Sequence, residues 1–474
     1  MSTMDMTGDG LGQRATARVV LISAAAALGG FLFGFDTAVI NGAVDAVRGG
    51  FALDAAQTGF AVSCALLGSA LGAWYAGMLA NRFGRVRTMQ VAAVLLVASA
   101  LGSGLVTAVW DLILWRLVGG IGVGVASVIA PTYIAEVSPA HIRGRLGSMQ
   151  QLAIVLGIFA ALLSDAWLAG VAGGAAEPLW FGLAAWRWMF LVATLPALVY
   201  GTLVLGVPES PRHLVAKGRI DEARVVLRKV LNMHSEAALD SKLRDIEDSL
   251  RSEHKPRLRD LCGKTAGLLP VVWIGILLSV FQQFVGINVI FYYSSTLWHS
   301  VGFSEADSFT ITVVTSIVNV LVTLVAIALV DKVGRKPLLV VGSAGMAITL
   351  GLMAWCFSQA TGSGATLSLP GATGMVALVA ANAYVVFFGV SWGPVVWVLL
   401  GEMFPNRIRA TALAVAAAAQ WLANFAITST FPALAELGLS FAYGLYAGFA
   451  LLSLLFVLAG VRETKGIELE DMRA

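Results

Sequence analysis

The chain has 474 residues, of which 58% are hydrophobic and 12% are charged, and its formal net charge is +3. Soluble globular domains carry about twice this share of charged residues, so the composition excludes a soluble protein and predicts a polytopic membrane protein. The small positive charge reflects arginine and lysine in loops and indicates no nucleic-acid partner.

Twelve segments are apolar over the roughly 20 residues that a helix needs to cross a bilayer. They predict an all-α membrane protein with six spans on either side of a charged central region. The predicted spans are 18–44, 57–80, 87–108, 112–136, 146–169, 185–207, 266–299, 306–330, 337–358, 372–400, 407–430 and 437–460.

Lysine and arginine are concentrated in the loops that follow even-numbered spans, which predicts that both termini are cytoplasmic. Between spans six and seven, apolar residues recur at helical spacing among many charges, which predicts short amphipathic helices. The expected organisation is a cytoplasmic N-terminus at 1–17, a six-helix half at 18–207, cytoplasmic linker helices at 208–264, a second half at 265–460 and a cytoplasmic tail at 461–474.

An aspartate lies in the middle of the first span. Asp36 stands among apolar residues, where an ionised carboxylate is expensive unless it is paired or protonated. Arg116 in span four is the other charge near an intramembrane face, and we expect the two side chains to pair. Two interpretations stay open: a static structural pair, and a group that changes its protonation state during function.

Three charged motifs occur in each half in the same order, so the halves are repeats that share one orientation. We expect their carboxylates and guanidinium groups to latch neighbouring helices across the two halves at the cytoplasmic ends. The alternative is that the arginines only set topology. The candidate gating residues are Arg82, Arg85, Glu136, Arg143, Glu209, Arg212, Asp331, Arg335, Glu402, Arg409 and Glu463.

Span seven carries a polar face. Gln282, Asn288 and Tyr292 lie close together on a helical wheel, and side-chain amides in hydrocarbon must face a cavity or a partner helix. Gly286 lies beside them, where it allows close approach of a ligand or backbone and loosens the helix. Amides and phenols without charges suit a neutral, hydroxyl-rich ligand. A polar contact between helices is the alternative.

Taken in order, the motifs resemble those of the sugar porter family of the major facilitator superfamily. The resemblance covers residues 18 to 470. It rests on Asn81-Arg-Phe-Gly-Arg85, Arg116 before Gly119-Gly120-Ile-Gly122, Pro208-Glu-Ser-Pro-Arg212, Gln282-Gln283 with Gly286 and Asn288, Asp331 with Gly334-Arg335-Lys336, and Glu463-Thr-Lys-Gly466. It implies a major facilitator fold and a sugar site at mid-membrane between the halves.

The resemblance also implies which residues contact the sugar, with Tyr292 and Tyr293 forming an outer gate. Amides donate and accept hydrogen bonds to vicinal hydroxyls, and an indole face covers the C–H side of a sugar ring. The implied substrate-binding residues are Phe33, Gln151, Gln282, Gln283, Asn288, Tyr292, Asn319, Phe388, Gly393, Trp397, Gln420 and Trp421.

In proton-coupled family members, the position matching Asp36 is the protonation site, whereas many facilitators of animals have Asn there. The resemblance therefore implies secondary active transport of a monosaccharide by alternating access as a sugar/proton symporter, with a facilitator without proton coupling as the open alternative. Ile158 replaces a glutamine found in some pentose transporters, which favours hexose or mixed specificity.

Two other classes of protein fit less well. A sugar sensor without transport is expected to carry a long cytoplasmic extension, and only fourteen residues follow Gly460. The five histidines show no triad or ligand spacing, so we expect no enzyme, no metal and no cofactor. The expected partners are a monosaccharide, protons and the lipid of a bacterial inner (plasma) membrane, with a single chain as the functional unit.

Overall fold

The computed structural model describes residues 6–138, 143–231, 235–252, 258–265, 267–361, 368–405 and 408–464. Twelve helical segments in this part of the chain are long and apolar enough to cross a membrane. The predictions of an all-α membrane protein with twelve spans, and of short helices between its halves, are confirmed.

The spans are numbered 1 to 12 in chain order. They are formed by Met6–Ala38 with Ile40–Gly50, Ala55–Phe83, Arg85–Gly104, Val109–Val137, Arg143–Ala172, Ala185–Val192 with Thr194–Leu205, Pro270–Phe284 with Ile287–Tyr292 and Ser294–Ser300, Glu305–Val333, Arg335–Ser358, Thr373–Val390 with Trp392–Met403, Arg409–Leu437, and Leu439–Gly460. The shorter elements are helices Pro211–Ala216, Ile220–Leu231 and Glu236–Ser252, 3-10 turns Trp180–Gly182 and Leu258–Leu261, and strand Cys262–Thr265.

The three short helices between spans 6 and 7 pack together through a small core of their own, which contains Leu214, Leu227, Leu239 and Leu243. The Arg18 guanidinium donates to the Lys229 carbonyl oxygen at 2.8 Å and joins this linker to span 1. We call this end of the bundle the linker end and the opposite end the far end. Even-numbered spans end at the linker end, and odd-numbered spans end at the far end.

Span 7 is broken at Gly286, as its sequence predicts. Gly286 adopts φ of 85°, a left-handed conformation that disfavours any residue with a Cβ. A Cβ there would also lie 2.7 Å from the Tyr446 ring. The Tyr384 hydroxyl donates to the Val285 carbonyl oxygen at 2.7 Å, which satisfies a backbone group next to the break.

The two halves approach closely where span 2 meets span 11. Gly59 lies directly against the Ser429 carbonyl oxygen, so that a side chain at this position would clash with backbone. One turn away, the Phe60 and Phe425 rings are in edge contact, with centroids 6.3 Å apart. Backbones in contact across the halves hold the mid-membrane side chains of both within reach of one another.

Candidate functional site

The polar side chains predicted on span 7 form an amide cluster with spans 10 and 11. The Gln282 amide nitrogen donates to the Trp392 carbonyl oxygen at 2.7 Å, and its oxygen accepts from the Gln420 amide at 2.7 Å. The Asn288 amide donates to the Gln283 side-chain oxygen at 2.5 Å. The break at Gly286 allows Asn288 to lie on the same side as Gln283, because it resets the phase of the helix.

The amide cluster contains no charged group, and one of its hydrogen-bond acceptors is unused. The side-chain oxygen of Gln420 is buried and has no hydrogen-bond partner in the described part of the chain. A buried acceptor without a donor costs about 1–3 kcal/mol. A hydroxyl group from a ligand would remove this cost, and the neighbouring amides can exchange their mutual bonds for bonds to further hydroxyls.

Aromatic rings lie beside the amide cluster. Phe33 of span 1 contacts Trp421 of span 11, with ring centroids 5.6 Å apart, so this pair bridges the two halves. Phe388 packs about Gly393, where an added Cβ would lie 3.4 Å from the Phe388 ring. These rings form an apolar wall next to a polar one, which suits a sugar ring with its C–H and hydroxyl faces.

Three predicted site residues stand apart from this cluster. Asn319 is buried, and its side-chain oxygen faces Gly389 of span 10. Gln151 is only partly buried on span 5. The Trp397 side chain is 44% exposed.

Both predicted outer-gate tyrosines are buried where span 7 meets span 11. The Tyr293 hydroxyl donates to the Thr428 carbonyl oxygen at 3.0 Å, and its ring lies 5.0 Å from that of Phe431. The Tyr292 hydroxyl interacts with the side chains of Asn424 and Thr37. Tyr292 therefore joins span 7 to both span 11 and span 1.

The far end is closed by direct contacts between the halves. The Asn41 amide donates to the Phe291 carbonyl oxygen at 2.9 Å, and the Asn41 carbonyl oxygen accepts from the Ser295 hydroxyl at 2.8 Å. Closer to the surface, Arg48 and Glu436 form an ion pair at 2.9 Å. Spans 1, 7 and 11 thus meet at this end.

Asp36 and Arg116 lie side by side, but their contact is loose. The nearest guanidinium nitrogen and carboxylate oxygen are 3.9 Å apart. Arg116 instead donates to the backbone carbonyl oxygen of Asp36 at 3.0 Å, and Oδ2 of Asp36 has no hydrogen-bond partner among the described residues. Arg116 is thus positioned whether or not the carboxyl is ionised, because its main bond is to the backbone.

The charged motifs of the first half gather at the linker end. Arg85 donates twice to Glu136, at 2.8 and 3.0 Å, and its backbone N–H donates to Glu209 at 2.9 Å. His213 Nδ1 lies 3.0 Å from the same guanidinium. Burial lowers the pKa of His213 below its ordinary value, and Arg85 contributes in the same direction although Glu209 opposes it.

The second half repeats this arrangement. Arg335 donates twice to Glu402, at 2.7 and 3.1 Å, and its backbone N–H donates to Glu463 at 3.0 Å. Thr464 donates to the same Glu402 at 2.5 Å, whereas in the first half His213 lies beside Arg85. The repeat predicted from sequence is therefore also a repeat of hydrogen bonds.

These hydrogen bonds join spans of one half, whereas a latch across the halves was expected. The far end is closed here, and so a contact between the halves at the linker end stays a prediction for the opposite conformation. The other gating candidates have separate surroundings. Arg82 lies over the Phe83 ring and Arg409 donates to the Phe404 carbonyl oxygen, Arg212 has interactions of its own, and the side chains of Arg143 and Asp331 lie outside the described residues.

Sequence reasoning missed several buried polar side chains. Gln150, beside the predicted Gln151, is buried with both amide atoms unpartnered among the described residues. Asp165 is an acid within an apolar span, which is the signal that identified Asp36. The roles of Asn41 and Asn424 could not be predicted from their own segments, because they depend on which helices lie against each other.

Residues 22–474 match the model of the sugar (and other) transporter family. A glucose transport protein of Synechocystis is 59% identical over 96% of this chain and 97% of that protein. The D-xylose-proton symporter of Escherichia coli K12 is 38% identical over 96% of this chain and 94% of the symporter.

The solved structures of the xylose transporter of E. coli are similar to this fold at 37% identity. The partially occluded inward-open conformation gives a TM-score of 0.82 and covers 95% of this chain and 100% of that one. The inward-open conformation gives 0.80, with 96% and 99% covered. A complex with 6-bromo-6-deoxy-D-glucose gives 0.77, with 96% and 98% covered.

Proposed function

Since the chain belongs to the sugar porter family of the major facilitator superfamily, and is therefore a sugar transporter of the membrane and not an enzyme, we propose that it carries a hexose together with a proton by alternating access. The observation that carries this proposal is the uncharged amide cluster of Gln282, Gln283, Asn288 and Gln420, which lies beside the Phe33–Trp421 contact between the two halves.

The substrate follows from the chemistry of this cluster. Amides offer donors and acceptors to a ligand rich in hydroxyls without the charge that would select an anion. Phe33 and Trp421 supply an apolar face beside them. Ile158 favours a hexose over a pentose, and the 59% identical relative named as a glucose transport protein supports the same choice.

The orientation follows from the loops. The linker end carries the Lys and Arg residues, so we assign it to the cytoplasm together with both termini. With the far end closed through Asn41, Tyr293 and Arg48, the conformation described here is then inward-facing. The similarity to the inward-open and partially occluded inward-open structures, with TM-scores of 0.80 and 0.82, supports this assignment.

Coupling to protons is assigned to Asp36. A carboxyl with one oxygen unpartnered and with an arginine 3.9 Å away is suited to both protonation states, because neither state leaves Arg116 without its bond to the backbone. Loss of the proton would strengthen the attraction to Arg116 and draw spans 1 and 4 together. We also propose that a single chain is the functional unit.

The alternation itself uses the two linker-end clusters. In the inward-facing form each arginine holds two helices of its own half, through Glu136 in the first half and Glu402 in the second. Closure of the linker end would bring the clusters of the two halves together, while the contacts of Asn41 at the far end would break.

The test is counterflow in proteoliposomes preloaded with one unlabelled monosaccharide. Labelled glucose, galactose, xylose and arabinose are added outside, and accumulation of label is measured over time. We expect glucose to give the largest signal. Counterflow of the pentoses alone would contradict the hexose assignment, and absence of counterflow for every sugar would contradict transport of monosaccharides.

A further inference from the structure

Span 5 carries a buried carboxyl group that neither the sugar site nor the Asp36–Arg116 pair uses. The Asp165 side chain is completely buried, and neither of its carboxylate oxygens has a hydrogen-bond partner among the described residues. An ionised carboxylate without a cation or donors is costly in such surroundings, whereas a neutral carboxyl is tolerated far better. In this conformation the group is therefore accommodated as the neutral acid.

The carboxyl is enclosed between three helices. A Cβ at Gly42, on the second helix of span 1, would lie 2.8 Å from the Cβ of Asp165 and equally close to the sulfur of Met189 on span 6. The backbone N–H of Gly42 lies near the carboxyl but does not form a hydrogen bond with it. Helix Ile40–Gly50 therefore forms the cover of this group.

Within the described part of the chain, no charged side chain pairs with Asp165. The described charged groups on the helices packed against span 5 have interactions elsewhere. They are Arg18 with the Lys229 carbonyl oxygen, Asp36 with Arg116, Asp45 with Thr296, Arg48 with Glu436, Asp111 with the backbone of Thr107, Glu136 with Arg85, Arg187 with the carbonyl oxygens of Gly104 and Val106, Glu305 with the backbone of Ala175, Asp307 with Ser304, and Lys332 with interactions of its own. None of these is an ion-pair or hydrogen-bond partner of the Asp165 carboxyl.

The helix that covers Asp165 also closes the far end. Asn41, next to Gly42, bonds to Phe291 and Ser295 of span 7. One turn further, the Asp45 carboxylate accepts from the Thr296 hydroxyl at 2.9 Å. Opening of the far end breaks these contacts, and a displacement of this helix away from span 5 would uncover the carboxyl.

We propose that Asp165 is a second proton-binding site, which is occupied while the far end is closed and vacated when it opens. On opening, water reaches the carboxyl, its O–H bond breaks, the proton passes to water and the carboxylate keeps the electron pair. On closing, the carboxylate takes a proton back from that side. The site is separate from Asp36, and it does not depend on which sugar is carried.

The first test is infrared spectroscopy of the purified protein in D₂O near neutral pH. We expect the Asp165 contribution to the carbonyl-stretch band of protonated carboxyls to be lost in Asp165→Asn. The same contribution should persist in the matched variant Asp36→Asn. If the buried amide of Asp165→Asn prevents folding, Asp165→Leu serves in its place, because its side chain has the same branching and the same number of heavy atoms as Asp and places no polar group in the site. A carboxylate band lost in place of the carbonyl band would overturn the proposal.

The second test links the proton to the gate. Backbone hydrogen exchange of Ile40–Gly50 is measured across the neutral pH range and corrected for the intrinsic pH dependence of exchange. If opening releases one proton, protection falls by about tenfold per pH unit between the pKa of Asp165 in the open form and its pKa in the closed form. We expect this dependence in the wild type and in Asp36→Asn, and its loss in both Asp165 variants.

An equal pH dependence in the wild type and in both Asp165 variants would overturn the link to the gate. Counterflow measured on the same preparations keeps this outcome apart from that of the transport proposal. Loss of the infrared band with no counterflow of any sugar would leave the proton site standing and remove the transported substrate. Normal counterflow with no band from Asp165 in the wild type would leave the transport proposal standing and overturn the proton site.

Discussion

The two halves are alike at the linker end and unlike at mid-membrane. At the linker end, Arg85 and Arg335 each donate twice to a glutamate on the span that follows, and each backbone N–H donates to a second glutamate. Donors, acceptors and distances nearly coincide, which indicates that both halves keep one structural device there.

At mid-membrane the resemblance ends. The second half supplies the amide cluster, with Gln282 at its centre and without a charged side chain. The first half supplies Asp36, Arg116 and Asp165 instead. The two halves of a duplicated scaffold can therefore take different roles. In our account the second half binds the sugar and the first half binds the proton, and the far-end contacts of Asn41 and Tyr292 join the two halves.

Asp36→Asn is expected to have the largest effect, because it removes the titrating group while mimicking its neutral form. Sugar accumulation driven by a pH gradient should be abolished, whereas sugar binding and passive exchange persist. Uptake and equilibrium exchange are measured in the same proteoliposomes. Asp54→Asn, at the N-cap of span 2, is the matched control and should leave both unchanged, because Asn also caps helices well.

Two results would break the assignment of proton handling to Asp36. Loss of sugar binding in Asp36→Asn would mean that its contact with Arg116 maintains the fold or the sugar site. Undiminished gradient-driven uptake would place the coupling on another group.

Gln282→Ala is expected to have the next largest effect, on affinity. It removes a donor to the Trp392 carbonyl oxygen and an acceptor for Gln420, and each lost bond to a desolvated ligand is worth about 1–1.5 kcal/mol. Sugar affinity should fall about tenfold to a hundredfold, measured by calorimetry. The exposed Gln359→Ala is the control, and unchanged affinity in a folded Gln282→Ala protein would show that the amides are only structural.

Substitution of the linker-end arginines tests whether the two clusters are equivalent. Arg85→Gln and Arg335→Gln each remove a bidentate, charged hydrogen-bond pair to a partly buried glutamate. Hydrogen bonds to charged groups are worth about 1.5–3 kcal/mol. We expect each to slow sugar exchange by about tenfold, with similar magnitude in the two halves and little change in affinity. A large effect in one half and none in the other would show that the shared geometry hides different roles.

The smallest expected effect comes from His213, which lies beside Arg85 in the cluster of the first half. Its lowered pKa means that the folded protein binds fewer protons than the unfolded chain once the pH falls below about 6.5. The stability contribution is therefore present above this pH and declines as the pH falls through it. His213→Gln should reduce the loss of thermal stability between about pH 7 and about pH 5, and an unchanged loss would contradict the role of His213.

The sequence was sufficient for features that rest on local chemistry. Hydropathy predicted the twelve spans, Gly286 predicted the break in span 7, and the repeated Arg and Glu motifs predicted two related halves. The proximity of Asp36 and Arg116 followed from the cost of isolated charges in hydrocarbon.

Features that depend on how helices meet were beyond the sequence. The acceptor for Gln282 is a backbone carbonyl of span 10, which no side-chain pattern reveals. The linker-end arginines bond within their own halves in this conformation, because the far end is the closed one. Asp165 was missed although it carried the same signal as Asp36, since no second charge on another span pointed to it.

The most direct test of the central claim, that sugar movement is tied to protonation in the first half, is the external pH of unbuffered proteoliposomes on addition of glucose. The account predicts alkalinisation outside for the wild type and none for Asp36→Asn, although that variant still exchanges sugar. Sugar entry into wild-type vesicles without any alkalinisation would contradict the claim and identify a facilitator.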